Sequence, residues 1–246
     1  MTELLFREDA YLQEAEGRVT ELTSEGGIVL DRTIFYPTGG GQPGDSGRLE
    51  WQTGGVADPQ FGGLTIATAI KGHGKDIILI PAEASRLPPV GAKVVQRLDW
   101  SRRHRHMRVH TALHLLSVVL PLPVTGGAIG SEKGRLDFLM PDPPANKQIL
   151  EDRLNVLIER DLVVSDGWIS DEELKANPSL VKTMSVSPPM GQGKVRLVRI
   201  GDGSDLVDLQ PCGGTHVART SEIGRIRFGK IENKGKENRR VTIHLD

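Results

Sequence analysis

Cysteine, aromatic side chains, long apolar runs and an excess of either charge are all scarce in this sequence, and each scarcity excludes something. A single cysteine in 246 residues allows no internal disulfide, which suits a reducing cytoplasm rather than a secreted scaffold. Aromatic residues make up 4%, so contact with nucleic acid has to rest on charge more than on base-stacking platforms. No apolar run approaches the ~18–20 residues that a membrane helix requires, and Met1–Asp9 lacks the apolar core of a signal peptide. A cytoplasmic location without a membrane partner is therefore expected. The 31 basic and 32 acidic residues give a net charge of −1, so any RNA would be held by local patches.

What is present is an ordinary globular balance, with 37% hydrophobic and 26% charged residues and a mean hydropathy of −0.27. The length suffices for one large domain or two modest ones. Glycine is over-used, at 29 residues or about 12% against a usual ~7%, with several in two clusters that shape particular loops. Short β-branched runs at Gly17–Leu22, Gly27–Asp31, Gly63–Lys71 and Asp76–Pro81 are separated by Gly-Gly, Pro and Asp-Pro steps. They predict a small β-barrel or sandwich over residues 1–92, closed off by Leu87-Pro88-Pro89-Val90-Gly91.

Beyond that boundary the sequence predicts a strand, Lys93–Leu98, and a helix capped by Asp99 or Ser101 that ends near Leu120, before Pro121 and Pro123. A glycine-rich strand pair follows, Val124–Gly130 and Gly134–Met140. A second helix at about Asn146–Asp161 carries Ile149, Leu150, Leu154, Leu157 and Ile158 at helical spacing. Strands recur at Leu162–Ser165, Lys194–Ile200, Asp205–Leu209, Gly224–Glu232 and Arg240–Leu245. The expected class is α+β: an N-terminal β-barrel domain over 1–92, then an α+β domain over 93–246.

His110 and His114 lie one helical turn apart, so both imidazoles can converge on one point. Alone, such a pair equally marks solvated or core histidines. Far downstream, Cys212-Gly213-Gly214-Thr215-His216 places the chain's one thiol four residues before another histidine, with two glycines that let the backbone bend. Thiolate and imidazole are the donors zinc prefers, and His110, His114, Cys212 and His216 make a complete tetrahedral set for one Zn2+ per chain. The alternative is a buried thiol beside an unrelated histidine. Four ligands favour structural zinc; assembly from two distant segments, and glycines that admit a substrate, favour catalytic zinc. Thr111 stands where an HExxH protease places its glutamate base, so this helix supplies no such base.

The run from Arg102 to Leu116 resembles the first zinc motif of alanyl-tRNA synthetase editing domains, and Pro211–Val217 with Glu222-Ile223-Gly224 resembles the second. Phe35-Tyr36-Pro37-Thr38-Gly39-Gly40-Gly41-Gln42-Pro43-Gly44-Asp45-Ser46-Gly47 is similar to the glycine-rich motif that precedes that domain, and Gly134-Arg135-Leu136-Asp137-Phe138 adds a fourth match. The chain is too short for a synthetase, so it resembles the free-standing alanyl-tRNA editing proteins in their longer form. That resemblance implies zinc-dependent hydrolysis, in trans, of the ester joining serine, and also glycine, to alanine tRNA. It implies a translation-factor-like β-barrel followed by the editing domain shared with threonyl-tRNA synthetase.

The resemblance also implies that Thr33 reads the substrate's small side chain through its hydroxyl, although by its residues alone Thr33 is a strand position. Gln42 lies in a loop whose amides could face the substrate, or is a surface glutamine of a tight turn. Arg135 and Asp137 alternate with Leu136 and Phe138, so one pair faces a core and the other a cleft, unless the first is a plain surface ion pair. These four are the candidate catalytic residues. Arg102, Arg103, Arg105 and Arg108, and downstream Lys230, Lys234, Lys236, Arg239 and Arg240, are either solvated faces or, as expected here, contacts for tRNA phosphates.

No obligate protein partner is evident. An aminoacyl ester is already activated, so its hydrolysis mainly needs a placed water and a stabilised oxyanion. Zinc could lower the pKa of water toward ~7, polarise the carbonyl, or position the substrate. A small-molecule zinc amidase or peptidase, and a structural-zinc RNA-binding module, stand as the competing readings.

Overall fold

The structure, a computed structural model, describes residues 1–53, 61–83, 86–182 and 193–246. These residues form two compact units, Met1–His104 and Arg105–Asp246. In the first, the strands are β1 (Glu3–Leu4), β2 (Glu14–Leu22), β3 (Ile28–Leu30), β4 (Arg32–Thr33), β5 (Gly47–Gln52), β6 (Phe61–Lys71), β7 (Ile77–Pro81) and β8 (Lys93–Leu98). Six of them close a barrel in the order β2-β3-β7-β6-β5-β8, antiparallel at every seam. Closure leaves these six strands without a free edge.

Alternation sets the facing: along β5, Leu49 and Trp51 are buried while Arg48 and Gln52 are exposed. Val19, Ile28, Leu30, Ile66, Leu79 and Val94 complete the interior. Strand β8, expected at the head of the second domain, is the closing stave and pairs with both β2 and β5. The glycine-rich loop then lies tight against the barrel wall. A Cβ on Gly44 would come within 2.1 Å of the Ala69 carbonyl oxygen, so only glycine fits there.

Helix α1 (Trp100–Val119) carries the chain into the second unit. Asp99 starts it, its Oδ1 accepting the Arg102 N–H at 3.1 Å. The second unit continues with β9 (Val124–Ile129), β10 (Lys133–Leu139), α2 (Lys147–Glu159), β11 (Val164–Ser170), α3 (Asp171–Ala176), β12 (Lys194–Ile200), β13 (Asp208–Pro211), β14 (Ile226–Asn233) and β15 (Asn238–Leu245). They build a four-stranded antiparallel sheet, β14-β15-β10-β9, and a three-stranded antiparallel sheet, β11-β12-β13.

Helix α2 is capped by Asn146 and buries Leu150, Leu154 and Ile158, while Ile149, counted with its apolar face in the sequence, is exposed. Helix α1 packs directly on β10, where a Cβ on Gly134 would stand 2.5 Å from Val109 Cγ1 and 3.1 Å from Leu113 Cδ1. The missing side chain sets the distance between helix and sheet. The architecture is thus α+β with a six-stranded barrel and few helices. No helix among the described residues is long and apolar enough to cross a membrane.

Candidate metal centre

Helical periodicity brings His110 and His114 to one side of α1, and the loop leaving β13 brings Cys212 and His216 to meet them. That loop is held at its base: Cys212 N–H donates to the Arg196 carbonyl at 3.1 Å. The Arg196 guanidinium in turn donates to the carbonyls of Cys212 at 3.1 Å and Gly214 at 3.0 Å. One ligand atom from each of the four residues lies within 4.8 Å of the others, and all three imidazoles are buried.

Cys212 Sγ is 3.5 Å from His110 Nε2 and 3.3 Å from His216 Nε2. A tetrahedral centre with a metal–sulfur bond of ~2.3 Å and metal–nitrogen bonds of ~2.0–2.1 Å would separate S and N by about 3.5 Å. The donor set therefore fits a small cation that accepts N and S ligands.

The electrostatics divide: they ready Cys212 and His216 as ligands, whereas His114 must give up a proton to bind a metal. Burial opposes the Cys212 thiolate, but His110 and His216 outweigh it and hold this thiol well below its ordinary range. Burial, then the neighbouring charge of His110, pushes His216 down to about 3, which keeps the ring neutral with one nitrogen lone pair to offer. Burial also opposes charge on His114; the Asp208 carboxylate and Cys212 override it and lift this imidazole to about 9. Asp208, in spite of its own burial, is held down at about 2 by His114 and Lys182.

Three supporting residues escaped the sequence reading. Asp208 Oδ2 lies 3.0 Å from His114 Nδ1, Thr111 Oγ1 lies 3.2 Å from His216 Nδ1, and Arg196 pins the cysteine loop. A signal for the first was available: Asp208, Gln210 and Cys212 stand at strand period, on one face of β13 and its continuation.

The structure gathers the four metal donors in the second unit. Thr33 and Gln42 are both buried in the first unit. The Thr33 hydroxyl donates to Gln96 Oε1 at 2.7 Å and accepts the Phe35 N–H at 3.1 Å, while Gln42 closes a tight backbone pair with Gly39. Arg135 and Asp137 do alternate with buried Phe138, but they project from the face of β10 opposite to Gly134, away from the helix that bears His110 and His114. Asp137 ties Arg135 at 3.0 Å to Arg240, which holds it through two bonds of 2.8 and 2.9 Å. With Lys133, Lys230, Thr242 and His244, these two arginines line an open groove of about 560 Å³.

The basic clusters divide as well. Arg103 is 1% exposed, with its guanidinium on Asp45 and on the carbonyls of Ala10 and Ile34 at 2.8 and 2.6 Å. Its expected place among the phosphate contacts is corrected on that ground: a charge already enclosed by its partners is not presented to RNA. Arg102 donates to the Gly44 carbonyl at 2.7 Å, and Arg108 is part-buried, with Nε on the Ile223 carbonyl at 2.9 Å. Burial, then repulsion by Arg105, lowers the Arg108 pKa. Arg239 donates to the Pro141 carbonyl at 2.6 Å; Arg105, Lys234 and Lys236 are exposed.

Comparison with known proteins places this centre in context. Residues 195–242 match the family described as the threonyl and alanyl tRNA synthetase second additional domain, a stretch that holds Cys212 and His216. The chain is 33% identical to the alanyl-tRNA editing protein AlaX-M of Methanosarcina acetivorans, over 100% of this chain and 99% of that protein. It is equally 33% identical to the protein of the same name from Saccharolobus solfataricus, over 98% of each. The alanine–tRNA ligase of Pyrobaculum neutrophilum is also 33% identical, over 94% of this chain and 25% of the ligase.

Proposed function

The chain belongs to the alanyl-tRNA editing proteins, and from that premise we propose that it is a zinc-dependent hydrolase that cleaves, in trans, the ester of Ser-tRNA(Ala) and of Gly-tRNA(Ala). The observation that carries this reading is the buried convergence of His110, His114, Cys212 and His216 within 4.8 Å in a chain similar to editing proteins along its whole length. A thiolate with three imidazoles is a donor set for zinc. Once bound, zinc supplies a Lewis-acidic positive charge to an ester carbonyl.

The chain's own residues shape the rest. One thiolate among three imidazoles offsets only half of a divalent charge, so once His114 has given up its proton the set would leave a net positive field at the site. Space beside Gly213, where an added Cβ would meet nothing within 4 Å, gives the substrate an approach to the cysteine loop. A structural-zinc module without catalysis is the second reading, favoured only by the count of four protein donors.

Within the same proposal, Thr33 reads the serine hydroxyl and Gln42 holds the glycine-rich loop that bears on the substrate. The Thr33 proton is taken up by Gln96, so Thr33 offers an acceptor lone pair, which a serine O–H can satisfy and an alanine methyl cannot. Thr33→Val should slow Ser-tRNA deacylation by about ten- to hundredfold and affect Gly-tRNA much less, the range set by one unpaired polar group. Single-turnover rates on both substrates check this, and an equal loss on both would reduce Thr33 to a support of the fold. The barrel that holds it is proposed to be of the translation-factor type.

The tRNA backbone is assigned to Arg102, Arg105, Arg108, Lys234, Lys236, Arg239 and Arg240, with Lys133, Arg135 and Lys230 of the groove. Exchanging exposed Lys234 and Lys236 for glutamine should lower the log–log salt slope of tRNA binding by about 1 for each phosphate no longer neutralised. Filter binding across a salt series measures it, and an unchanged slope would remove both lysines from the interface. The function itself is tested by a deacylation panel of alanine tRNA charged with serine, glycine or alanine. Serine and glycine should be released and alanine spared; equal release of all three would contradict an editing role.

A further inference from the structure

Thr111 is fully buried, contributes no donor to the metal cluster and carries no carboxylate to serve as a base. Its hydroxyl donates to the Met107 carbonyl at 2.9 Å, which uses the only proton it has. Toward its other neighbours it can therefore act only as an acceptor. It accepts the Val217 N–H at 3.3 Å and faces His216 Nδ1 at 3.2 Å. With the Thr111 proton on Met107, the matching tautomer of His216 carries its proton on Nδ1 and leaves the Nε2 lone pair on the side of Cys212.

His114 is arranged in the same way with a different partner. An ionised carboxylate only accepts, and Asp208 Oδ2 lies 3.0 Å from His114 Nδ1, so that ring keeps its proton on Nδ1, and a metal would displace the proton from Nε2. Asp208 is fixed in turn. Gln210 Nε2 donates to Oδ2 at 2.7 Å, and the Lys182 ammonium pairs with Oδ1. Gln210 Nε2 also donates to Ser117 Oγ at 3.4 Å, which ties this polar set back to α1.

We propose that Thr111 and Asp208 are the positioning residues of the metal centre, locking His216 and His114 as Nε2 ligands through a neutral hydroxyl on one ring and a carboxylate on the other. The inference rests on the metal-centre reading above. A ligand ring that must be turned, or whose proton must be moved to the other nitrogen, binds more weakly than one held in place, and removing such a partner typically costs 10–100-fold in metal affinity. The two partners are not equivalent. Asp208 also lends negative charge to His114, whereas Thr111 only orients. The threonine in His110-Thr111-Ala112-Leu113-His114 thus has a use that owes nothing to base catalysis.

The test is zinc affinity by chelator competition in the full-length protein, with the visible spectrum of the cobalt-substituted protein as a second readout. Thr111→Val keeps shape and removes the hydroxyl, while Thr111→Ser keeps the hydroxyl. The valine variant should bind zinc about 10–100-fold more weakly, Asp208→Asn at least as weakly, and the serine variant close to wild type. The cobalt spectra of the valine and asparagine variants should shift from wild type as a ligand ring loses its fixed orientation, and that shift is read even where affinity is confounded by lost stability. Wild-type affinity and spectrum in Thr111→Val and Asp208→Asn would overturn the proposal. So would an equal loss in the valine and serine variants, since packing rather than the hydroxyl would then be at stake. Failure of the wild-type protein itself to bind zinc would instead overturn the metal-centre reading, so the two failures are distinct.

Discussion

Cys212→Ala is expected to empty the metal centre, taking zinc from about one per chain to a small fraction of that. Cys212 carries the only thiol in the sequence, and among the four donors it is the only anion. Its removal leaves three imidazoles, neutral donors that offset none of a divalent cation's charge in a buried site. Metal binding free energy is shared with folding, so loss of the one anionic ligand should also lower the thermal stability of the second unit. Deacylation of Ser-tRNA should fall by about 10²–10³-fold or more, the order expected when a principal electrostatic stabiliser is removed. Elemental analysis of freshly purified wild type and variant decides the point. Unchanged zinc in the variant would contradict the four-ligand assignment.

The second large effect falls in the other unit. Arg103→Leu should destabilise the protein by about 3–5 kcal/mol, because it strips a buried carboxylate of its counter-charge. The Arg103 and Asp45 side chains are 1% and 2% exposed. Asp45 would keep the Tyr36 N–H, while the carbonyls of Ala10 and Ile34 would each lose a donor. The salt dependence of tRNA binding should stay as in wild type, since this guanidinium faces no solvent. Urea denaturation gives the first quantity, and the double variant with Asp45→Leu should recover part of the loss. A cost below about 1 kcal/mol would mean the ion pair is not enclosed as described, because only exposed pairs are worth so little.

Arg103 also shows where reading the sequence reaches its limit. A run of arginines reveals that charge is abundant, not which side chains have acidic partners; Asp45 is 58 residues away, in a loop whose docking is a tertiary event. Arg135 and Asp137 show the complementary case. Their alternation with Leu136 and Phe138 was legible as facing, but the side of the sheet taken by α1 was not, and that side decides which residues approach the metal. The four donors were legible because they depend on local periods: one turn of helix for the histidine pair, and a short glycine-bent loop for the cysteine and its histidine.

Local chemistry likewise located the Asp99 helix cap, the second helix to within about two residues at each end, and most strands of the second unit. Strand β5 escaped, although Leu49 and Trp51 alternate with Arg48, Glu50 and Gln52, because the glycine-rich run before it reads as loop. The place of β8 in the barrel could not be read at all, since closing a barrel depends on long-range pairing that leaves no mark on the strand itself. Helix α3 has a visible signature, Ser170 and Glu173 forming a capping box, yet its six residues are too few to stand out by periodicity.

The most direct measurement mixes zinc-replete protein, in excess, with alanine tRNA carrying labelled serine and follows the amino acid through a single turnover. The expected result is release of free serine and intact tRNA far above the rate in buffer, with Ala-tRNA spared under the same conditions. Ser-tRNA decaying at the buffer rate in the presence of the zinc-replete protein would contradict the assignment of this chain as an editing hydrolase.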